Sequence, residues 1–280
     1  MKIGVSSYSF MQYIKSGKLN QVTCIDKARE LGFDAIEFIN LTPHDGSSVE
    51  EYAVKLRERA AEVGIEISAY TVGATLIQDT DELTEKELSR VKKEIDIAEI
   101  LGVKKMRHDA YFSQNKYRSF DASLPELAKN CRILTEYAKT KGIRTMVENH
   151  GFCCQDSDRI ERLFNAVNHE NFGILVDMGN FLCVDENPVT AVSRLAPYAF
   201  HAHTKDFDTY GFDYPTEGCI VTRGCNKIRG TITGRGDVPV AQCVEILKRA
   251  GYDDVFSVEF EGPQDCIEAL KDALAYLRRL

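Results

Sequence analysis

No stretch of the 280 residues approaches the roughly 20 consecutive apolar residues of a membrane span, so no membrane partner is expected. A basic excess is also missing. Thirty-five Lys and Arg stand against 43 Asp and Glu, a formal charge of −8, and this argues against nucleic acid as a routine partner because duplex binders carry basic surfaces. The start, Met1-Lys2-Ile3-Gly4-Val5, lacks the apolar run and small-residue cleavage site of a signal peptide and reads directly as a strand. The nine cysteines are an odd number without metal-knuckle spacing, which points to reduced thiols and a cytoplasmic protein rather than a disulfide framework. Even the adjacent pair Cys153-Cys154 reads as loop filling. The first turn, Ser6-Ser7-Tyr8-Ser9-Phe10, contains no glycine, whereas a doubly wound sheet usually carries a Gly-rich one. No linker, low-complexity run or change of composition divides the chain, so a single catalytic domain over residues 1–280 is expected.

What is present is a repeated unit. Hydrophobic residues make up 44% and charged residues 28%, and a chain of this length can bury roughly three quarters of its unfolded surface. An amphipathic helix, a glycine and a short strand recur at Leu31-Gly32-Phe33, Val63-Gly64-Ile65, Leu101-Gly102-Val103, Lys141-Gly142-Ile143 and Ala250-Gly251-Tyr252. Glycine just past a helix supplies the left-handed cap that a Cβ would disfavour. Apolar stripes mark the helices: Val22, Ile25, Ala28 and Leu31; Leu88, Val91, Ile95 and Ala98; Leu127, Cys131, Leu134 and Ala138; Ile160, Leu163 and Val167; Val240, Val244 and Leu247; Ile267, Leu270, Leu274 and Leu277. Ser48 to Glu51 and Thr84 to Glu87 read as capping boxes, and Asn187-Pro188 as a further helix start. Strands are expected at 3–7, 35–39, 65–69, 103–107, 143–147, 173–176, 200–203 and 255–258. Eight alternating strands and helices predict a single (β/α)₈ TIM barrel of the α/β class. The longest gap without helix or strand signal, 206–237, follows the seventh strand on the face where barrels place their chemistry, so it is expected to cover the site and shape specificity.

Four of the strands end in groups that have no place in a strand interior. Val147 runs into Glu148-Asn149-His150, Val176 into Asp177, Ala202 into His203-Thr204-Lys205-Asp206, and Val258 into Glu259. These strands are the fifth to the eighth, neighbours in a barrel, so Glu148, Asp177, His203 and Glu259 can converge. Taken singly, each reads as a cap, a salt-bridge partner or a satisfied core histidine. Three crowded carboxylates without a cation would repel and raise one another's pKa, and a single divalent metal ion removes that difficulty. Oxygen-rich ligation with one imidazole suits Mn²⁺, Mg²⁺ or Co²⁺ without choosing among them, and Zn²⁺ also accepts such ligands; Mn²⁺ is the first expectation.

The motifs Glu148-Asn149-His150-Gly151, Asp177-Met178-Gly179-Asn180, His203-Thr204-Lys205-Asp206 and Ser257-Val258-Glu259 resemble the signature of the sugar phosphate isomerase/epimerase superfamily, whose xylose-isomerase-like TIM barrels include ketose 3-epimerases, inosose dehydratases and endonuclease IV. The resemblance covers the whole chain. It implies a Glu-Asp-His-Glu metal site at Glu148, Asp177, His203 and Glu259, with the two glutamates doubling as catalytic acid/base groups. It implies a metal-dependent isomerase or epimerase acting on a small-molecule sugar or keto-sugar through a metal-stabilised enediolate. An inosose-dehydratase-like lyase shares the first step, and the Glu148 and His203 motifs lean toward that branch. Endonuclease IV carries extra histidines for a three-zinc cluster. One of them would follow Asp177 by three residues, where this chain has Asn180, and the acidic balance also opposes a hydrolase of that kind. A non-catalytic carbohydrate-binding barrel is the remaining alternative.

Other strand ends supply candidate substrate contacts: Tyr8, Arg107, His108, His150 and Lys205. By strand alternation only one of Arg107 and His108 can face inward. His150 and Lys205 could bind substrate oxygens or shuttle a proton, and Lys205 could instead pair with Asp206. A homo-oligomeric assembly is left open.

Overall fold

The computed structural model describes residues 1–112 and 116–280. The strands in chain order are β1 (Lys2–Ser6), β2 (Ala35–Ile39), β3 (Glu66–Val72), β4 (Lys105–His108), β5 (Arg144–Glu148), β6 (Phe172–Asp177), β7 (Ala199–Thr204), β8 (Asp206–Tyr210), β9 (Ile220–Val221), β10 (Lys227–Thr231) and β11 (Val255–Val258). Eight of them, β1 to β7 and β11, close a parallel barrel in the order β1-β11-β7-β6-β5-β4-β3-β2. The main helices are α1 (Met11–Lys15), α2 (Gln21–Leu31), α3 (Val49–Val63), α4 (Asp81–Leu101), α5 (Phe120–Thr140), α6 (Ser157–Val167), α7 (Pro188–Leu195), α8 (Val240–Arg249) and α9 (Cys266–Leu277). Apart from the short α1, they join successive barrel strands or, for α9, follow the last one. The fold is therefore a single (β/α)₈ TIM barrel.

The local signals explain this outcome. All five glycines at the helix–strand joints have positive φ, between 68° and 95°, and each lets the chain leave its helix and enter a strand at once. Ser48 and Glu51 form the expected capping box of α3, and Asn187 caps α7 ahead of Pro188. The start of α4 differs from expectation. Its N-cap is Thr80, whose side chain accepts from the Leu83 N–H, and the Thr84 hydroxyl sits inside the helix accepting from the Gln78 N–H. Both threonines satisfy a capping pattern, and the one nearer the incoming chain prevails.

One large apolar layer lies between barrel and helices, and it contains the stripes of α4 (Leu88, Val91, Ile95) and α5 (Leu127, Cys131, Leu134). A second, small cluster of Ala69, Met146 and Leu175 with Phe200 stands apart from it. Met146 and Leu175 share strand faces with Glu148 and Asp177, so this cluster is an apolar floor inside the barrel beneath the polar strand ends. A Cβ on Gly173 would lie 2.3 Å from the Phe200 ring, so the glycine makes the space that this ring fills. Burying a side chain such as Leu175 contributes about 1.5–3 kcal/mol.

The segment 206–237 is not the structureless loop that its composition suggests. It carries a three-stranded antiparallel sheet in the order β8-β10-β9, with Asp206 opposite Thr231. The Asp206 carboxylate accepts from the backbone N–H groups of Phe207, Gly234, Gly236 and Val238 at 2.8–3.0 Å. One buried side chain therefore closes the whole excursion. Short strands rich in charge and interrupted by glycine give little alternation to read, and the clamp that organises them acts across 32 residues. A Cβ on Gly230 would press on the Glu261 backbone, so β10 packs against the exit of β11. Among the described residues no helix is long and apolar enough to cross a membrane.

Candidate metal centre

Glu148 ends β5, Asp177 ends β6, His203 lies near the end of β7 and Glu259 follows β11. Adjacent parallel strands in register bring them together: Glu148 pairs with Leu175, Asp177 with His203, and His203 with Ser257. One ligand atom from each of the four lies within 4.8 Å of the others, and all four residues are buried. The His203 Nδ1 atom is 3.7 Å from Glu148 Oε1, 3.6 Å from Asp177 Oδ2 and 3.7 Å from Glu259 Oε2. Two of these atoms, Asp177 Oδ2 and His203 Nδ1, are buried without a hydrogen-bond partner. Buried polar atoms left without a hydrogen-bond partner are costly unless something engages them. Three carboxylates and an imidazole fit a divalent cation, whose bonds to such atoms run about 2.0–2.2 Å.

The surroundings hold each group in place. Asp177 Oδ1 accepts from the Gly179 and Asn180 N–H groups at 2.8 and 2.9 Å, which leaves Oδ2 for the centre. A Cβ on Gly179 would lie 2.9 Å from the Lys205 carbonyl oxygen, so only glycine allows this turn to close against the end of β7. Asn149 exchanges two 2.9 Å bonds with the Asp177 backbone and ties the ends of β5 and β6 together. It is a clamp and not a ligand. The Asn180 amide donates to Glu148 Oε1 at 2.9 Å and accepts from Lys205 Nζ at 3.3 Å.

Two buried cations flank the carboxylates. The Arg107 guanidinium grips Glu148, with Nε 2.6 Å from Oε2, and lies 3.3 Å from Asp109. Lys205 Nζ lies 2.5 Å from Glu259, 3.6 Å from Asp177 and 3.9 Å from Glu261. Burial disfavours the charged form of Glu148, but Arg107 and His203 outweigh it and hold the carboxyl well below the usual carboxylate range. Burial likewise opposes ionisation of Glu259, and Lys205 and His203 overcome it. His203 runs the other way. Burial would lower it, yet Glu37, Glu259, Asp177 and Glu148 raise it well above its ordinary value. Without a cation, therefore, a proton on His203 serves as counter-charge to the cluster.

The structure sorts the remaining candidates. Arg107 faces the centre and His108 does not: its ring is fully buried, with Nδ1 2.9 Å from the Asp109 carbonyl. His150 Nδ1 meets Asp109 Oδ1 at 3.0 Å beside Glu148, and its side chain remains 36% exposed. Burial lowers its pKa but Asp109 raises it further, to a net upward shift. The Tyr8 hydroxyl donates to Glu261 at 3.3 Å, and burial and that carboxylate push its pKa to about 12. Lys205 does not pair with Asp206, whose carboxylate is turned away into its four backbone bonds. Cys153 and Cys154 are buried beneath the His150 turn, and the neighbouring Cys153 thiol together with burial pushes Cys154 well above its ordinary value, so Cys154 is not poised for thiolate chemistry.

Sequence reasoning missed Glu37, Asp109 and Glu261. Glu37 is the most instructive, a fully buried carboxylate in the middle of the strand Ala35–Ile39. A lone charge inside an otherwise apolar strand was the available signal. Among the described residues two further groups of metal-capable side chains occur, Glu37-His201-His203 and Asp109-Glu148-His150. In the first, both imidazoles already stand 2.6 Å from the Glu37 carboxylate, which leaves no room for an ion between them. In the second, Arg107 occupies the space beside both carboxylates.

The model of the family described as "Xylose isomerase-like TIM barrel" matches residues 25–280. An inosose dehydratase of Clostridium beijerinckii is 23% identical over 240 residues, 82% of this chain and 78% of that protein. Among solved structures, the IOLI protein with a bound zinc atom superposes with a TM-score of 0.78 at 17% identity, covering 100% of this chain and 97% of that one. An L-ribulose 3-epimerase does so with a TM-score of 0.76 at 16% identity, covering 100% and 94%. At such identities the structural likeness speaks to the fold.

Proposed function

Because the chain belongs to the xylose isomerase-like TIM barrel family, we propose that it is a divalent-metal-dependent isomerase or epimerase that removes a proton beside the carbonyl of a sugar or cyclic polyol ketone. The 280 residues act as one catalytic unit. The observation that carries the reading is the buried convergence of Glu148, Asp177, His203 and Glu259 with two unpartnered atoms facing one another. These four residues would hold the ion, with Mn²⁺ the first expectation and Mg²⁺, Co²⁺ and Zn²⁺ as alternatives. When bound, it supplies a Lewis acid that polarises a carbonyl and acidifies the neighbouring carbon.

The protein's own groups do the rest. Glu148 and Glu259 are the acid/base pair, each with a buried cation at its side that orients it. A carboxylate held below its usual range is a weak base, so the arrangement depends on acidified substrate and fixed orientation in a water-poor site. Arg107, Lys205 and Tyr8 offer donors to substrate oxygens, whereas the buried ring of His108 has no place in that set. His150, hydrogen-bonded to Asp109 and partly exposed, can bind a substrate oxygen or exchange a proton with solvent. This last feature favours one second reading. An imidazole whose pKa is raised by Asp109 can donate a proton to a departing hydroxyl, which turns the same first step into an inosose-dehydratase-like elimination. The endonuclease-like reading loses support because the Asn180 side chain is engaged by Glu148 and Lys205.

The test is proton exchange. Protein loaded with Mn²⁺ is incubated in D₂O with a panel of ketoses and inososes, and deuterium at the carbon beside the carbonyl is followed by NMR. Exchange should occur, stop with chelator and return with metal. Glu148→Gln and Glu259→Gln keep an oxygen for the ion and should each lose on the order of 10² or more in rate at wild-type metal content. Wild-type exchange rates in both metal-loaded variants, or no exchange with any ketone, would overturn the proposal.

A further inference from the structure

Resting on the metal reading above, we propose that Glu37 is the positioning residue of this centre: its carboxylate engages Nε2 of both His201 and His203, so that Nδ1 of His203 is the atom presented to the cation. A row of buried polar groups carries this. Glu37 Oε2 lies 2.6 Å from His201 Nε2, and Glu37 Oε1 lies 2.6 Å from His203 Nε2. Beyond His201, its Nδ1 is 3.5 Å from Lys105 Nζ, which pairs with Asp254 at 2.8 Å and donates to the Phe200 carbonyl at 3.3 Å. Glu37, His201 and His203 are at most 1% exposed. The row thus runs through the barrel interior, from the ligand-bearing strand ends to Asp254 ahead of β11, whose side chain is 41% exposed.

Donor and acceptor rules orient His201. A carboxylate only accepts and an ammonium only donates. Glu37 therefore requires a proton on His201 Nε2, and Lys105 requires a lone pair on His201 Nδ1, so His201 is neutral with its proton on Nε2. The same carboxylate faces His203 through its second oxygen. The approach of His203 Nε2 is oblique, and Glu37 Oε1 and His203 Nε2 each lack an aligned hydrogen bond. They have each other as close partners, and the alignment is what engagement of Nδ1 by a cation would complete. A ligating histidine whose other nitrogen donates to a carboxylate is fixed in tautomer and ring orientation and is a more basic ligand. In the sequence this role was invisible because Glu37 lies on β2, far along the chain from β7, and only barrel closure brings them together.

The test measures zinc affinity with a competing chromophoric chelator, together with ¹⁵N NMR of the histidine rings in the zinc-loaded wild type. Glu37→Gln should bind zinc about 10- to 100-fold more weakly while keeping its far-ultraviolet circular dichroism. His201→Gln disturbs the same buried row but leaves Glu37 for His203, and it should lose less than tenfold, so a merely structural role would move both variants alike. In the wild type, His203 should show metal-bound Nδ1 and protonated Nε2. Zinc affinity in Glu37→Gln equal to wild type, equal losses in both variants, or zinc on Nε2 of His203 would each overturn the proposal. If Glu37→Gln does not fold, the ¹⁵N measurement decides alone. A wild type that binds no zinc, manganese or magnesium would instead overturn the metal reading itself.

Discussion

The two halves of the barrel reach the same centre by different means. β5, β6, β7 and the strand before Glu259 each deliver a candidate ligand at or just past the C-terminal end of the strand. β1 to β4 deliver none there. Their contribution is Glu37 from the middle of β2, Arg107 from β4, Asp109 just after it, and Tyr8 beyond β1, and every one of these contacts a ligand or a neighbour of a ligand. On the proposed reading, one half supplies the ligands and the other helps to set their charge and orientation. If that division is physical, substitutions that remove a ligand atom from the ligand half should abolish metal binding outright. Those in the supporting half should alter stability, affinity or pH response by degrees.

The sharpest test is His203→Ala. The variant removes the only neutral ligand and leaves three buried carboxylates facing a gap. Metal analysis of protein purified without chelator should give about one equivalent of divalent ion for wild type and little for the variant, since few sites of this kind survive loss of a ligand. Wild-type occupancy in His203→Ala would place the ion elsewhere and remove the basis of the comparison.

Next comes Arg107→Met. Arg107 and Glu148 form an ion pair whose side chains are 11% and 1% exposed, so the variant strands a buried carboxylate. Breaking such a pair from one side costs about 3–5 kcal/mol. Chemical unfolding should show a loss of that order in chelator. Saturating metal should recover part of it, because the ion then supplies the missing positive charge. A loss of similar size with and without metal would mean that Arg107 serves packing rather than the charge of the ligand half.

What the sequence made legible divides along the same line. The barrel strands, the five glycine joints and the cluster of candidate ligands were readable because an apolar run that ends in a charge is a local signal. Glu37 was not, because its reason lies on β7. Asn149 looked like a site group and proved to be a clamp on the Asp177 backbone, a distinction that requires knowing which strand lies beside β5. Arg107 and His108 could not be separated by alternation alone, and the ion pair with Glu148 separates them. The sheet within 206–237 escaped because the Asp206 carboxylate organises it through contacts nearly thirty residues away or more. Local chemistry was visible, and long-range support was not.

A smaller effect should appear on changing pH. In the metal-free protein the His203 pKa is raised above its ordinary 6.5. A raised folded-state value stabilises fully below the unfolded value and is lost as pH climbs through the folded one. Thermal unfolding in chelator should therefore show falling stability as pH rises from about 6.5 upward. Glu148 and Glu259, lowered in the fold, lose their contribution only on the acid side, below the ordinary carboxylate range, and do not compete in this window. Metal-loaded protein has no proton left on the ligating nitrogen, so the stabilisation by metal should grow with pH across the same interval. A metal-induced shift in Tm that is flat over this range would show that His203 does not carry the counter-charge.

The smallest effect is expected for Tyr8→Phe, which probes the outermost contribution of the supporting half. Its hydroxyl meets Glu261 at 3.3 Å, a long bond, and the Glu261 side chain is 20% exposed. With its pKa pushed to about 12, the phenol is a neutral donor at any working pH. Loss of such a bond costs about 0.5–1.5 kcal/mol, and partial access of water favours the low end. Metal content should equal wild type, because Tyr8 reaches the centre only through Glu261 and Lys205. The measurable change should be in KM for the ketone identified by proton exchange, since the freed position is where a substrate hydroxyl would meet the Glu261 carboxylate. Should Tyr8→Phe instead reduce kcat as strongly as Glu259→Gln with KM unchanged, the supporting half would contain a group that acts on the reacting atoms, and the division between the two halves of the barrel would fail at β1.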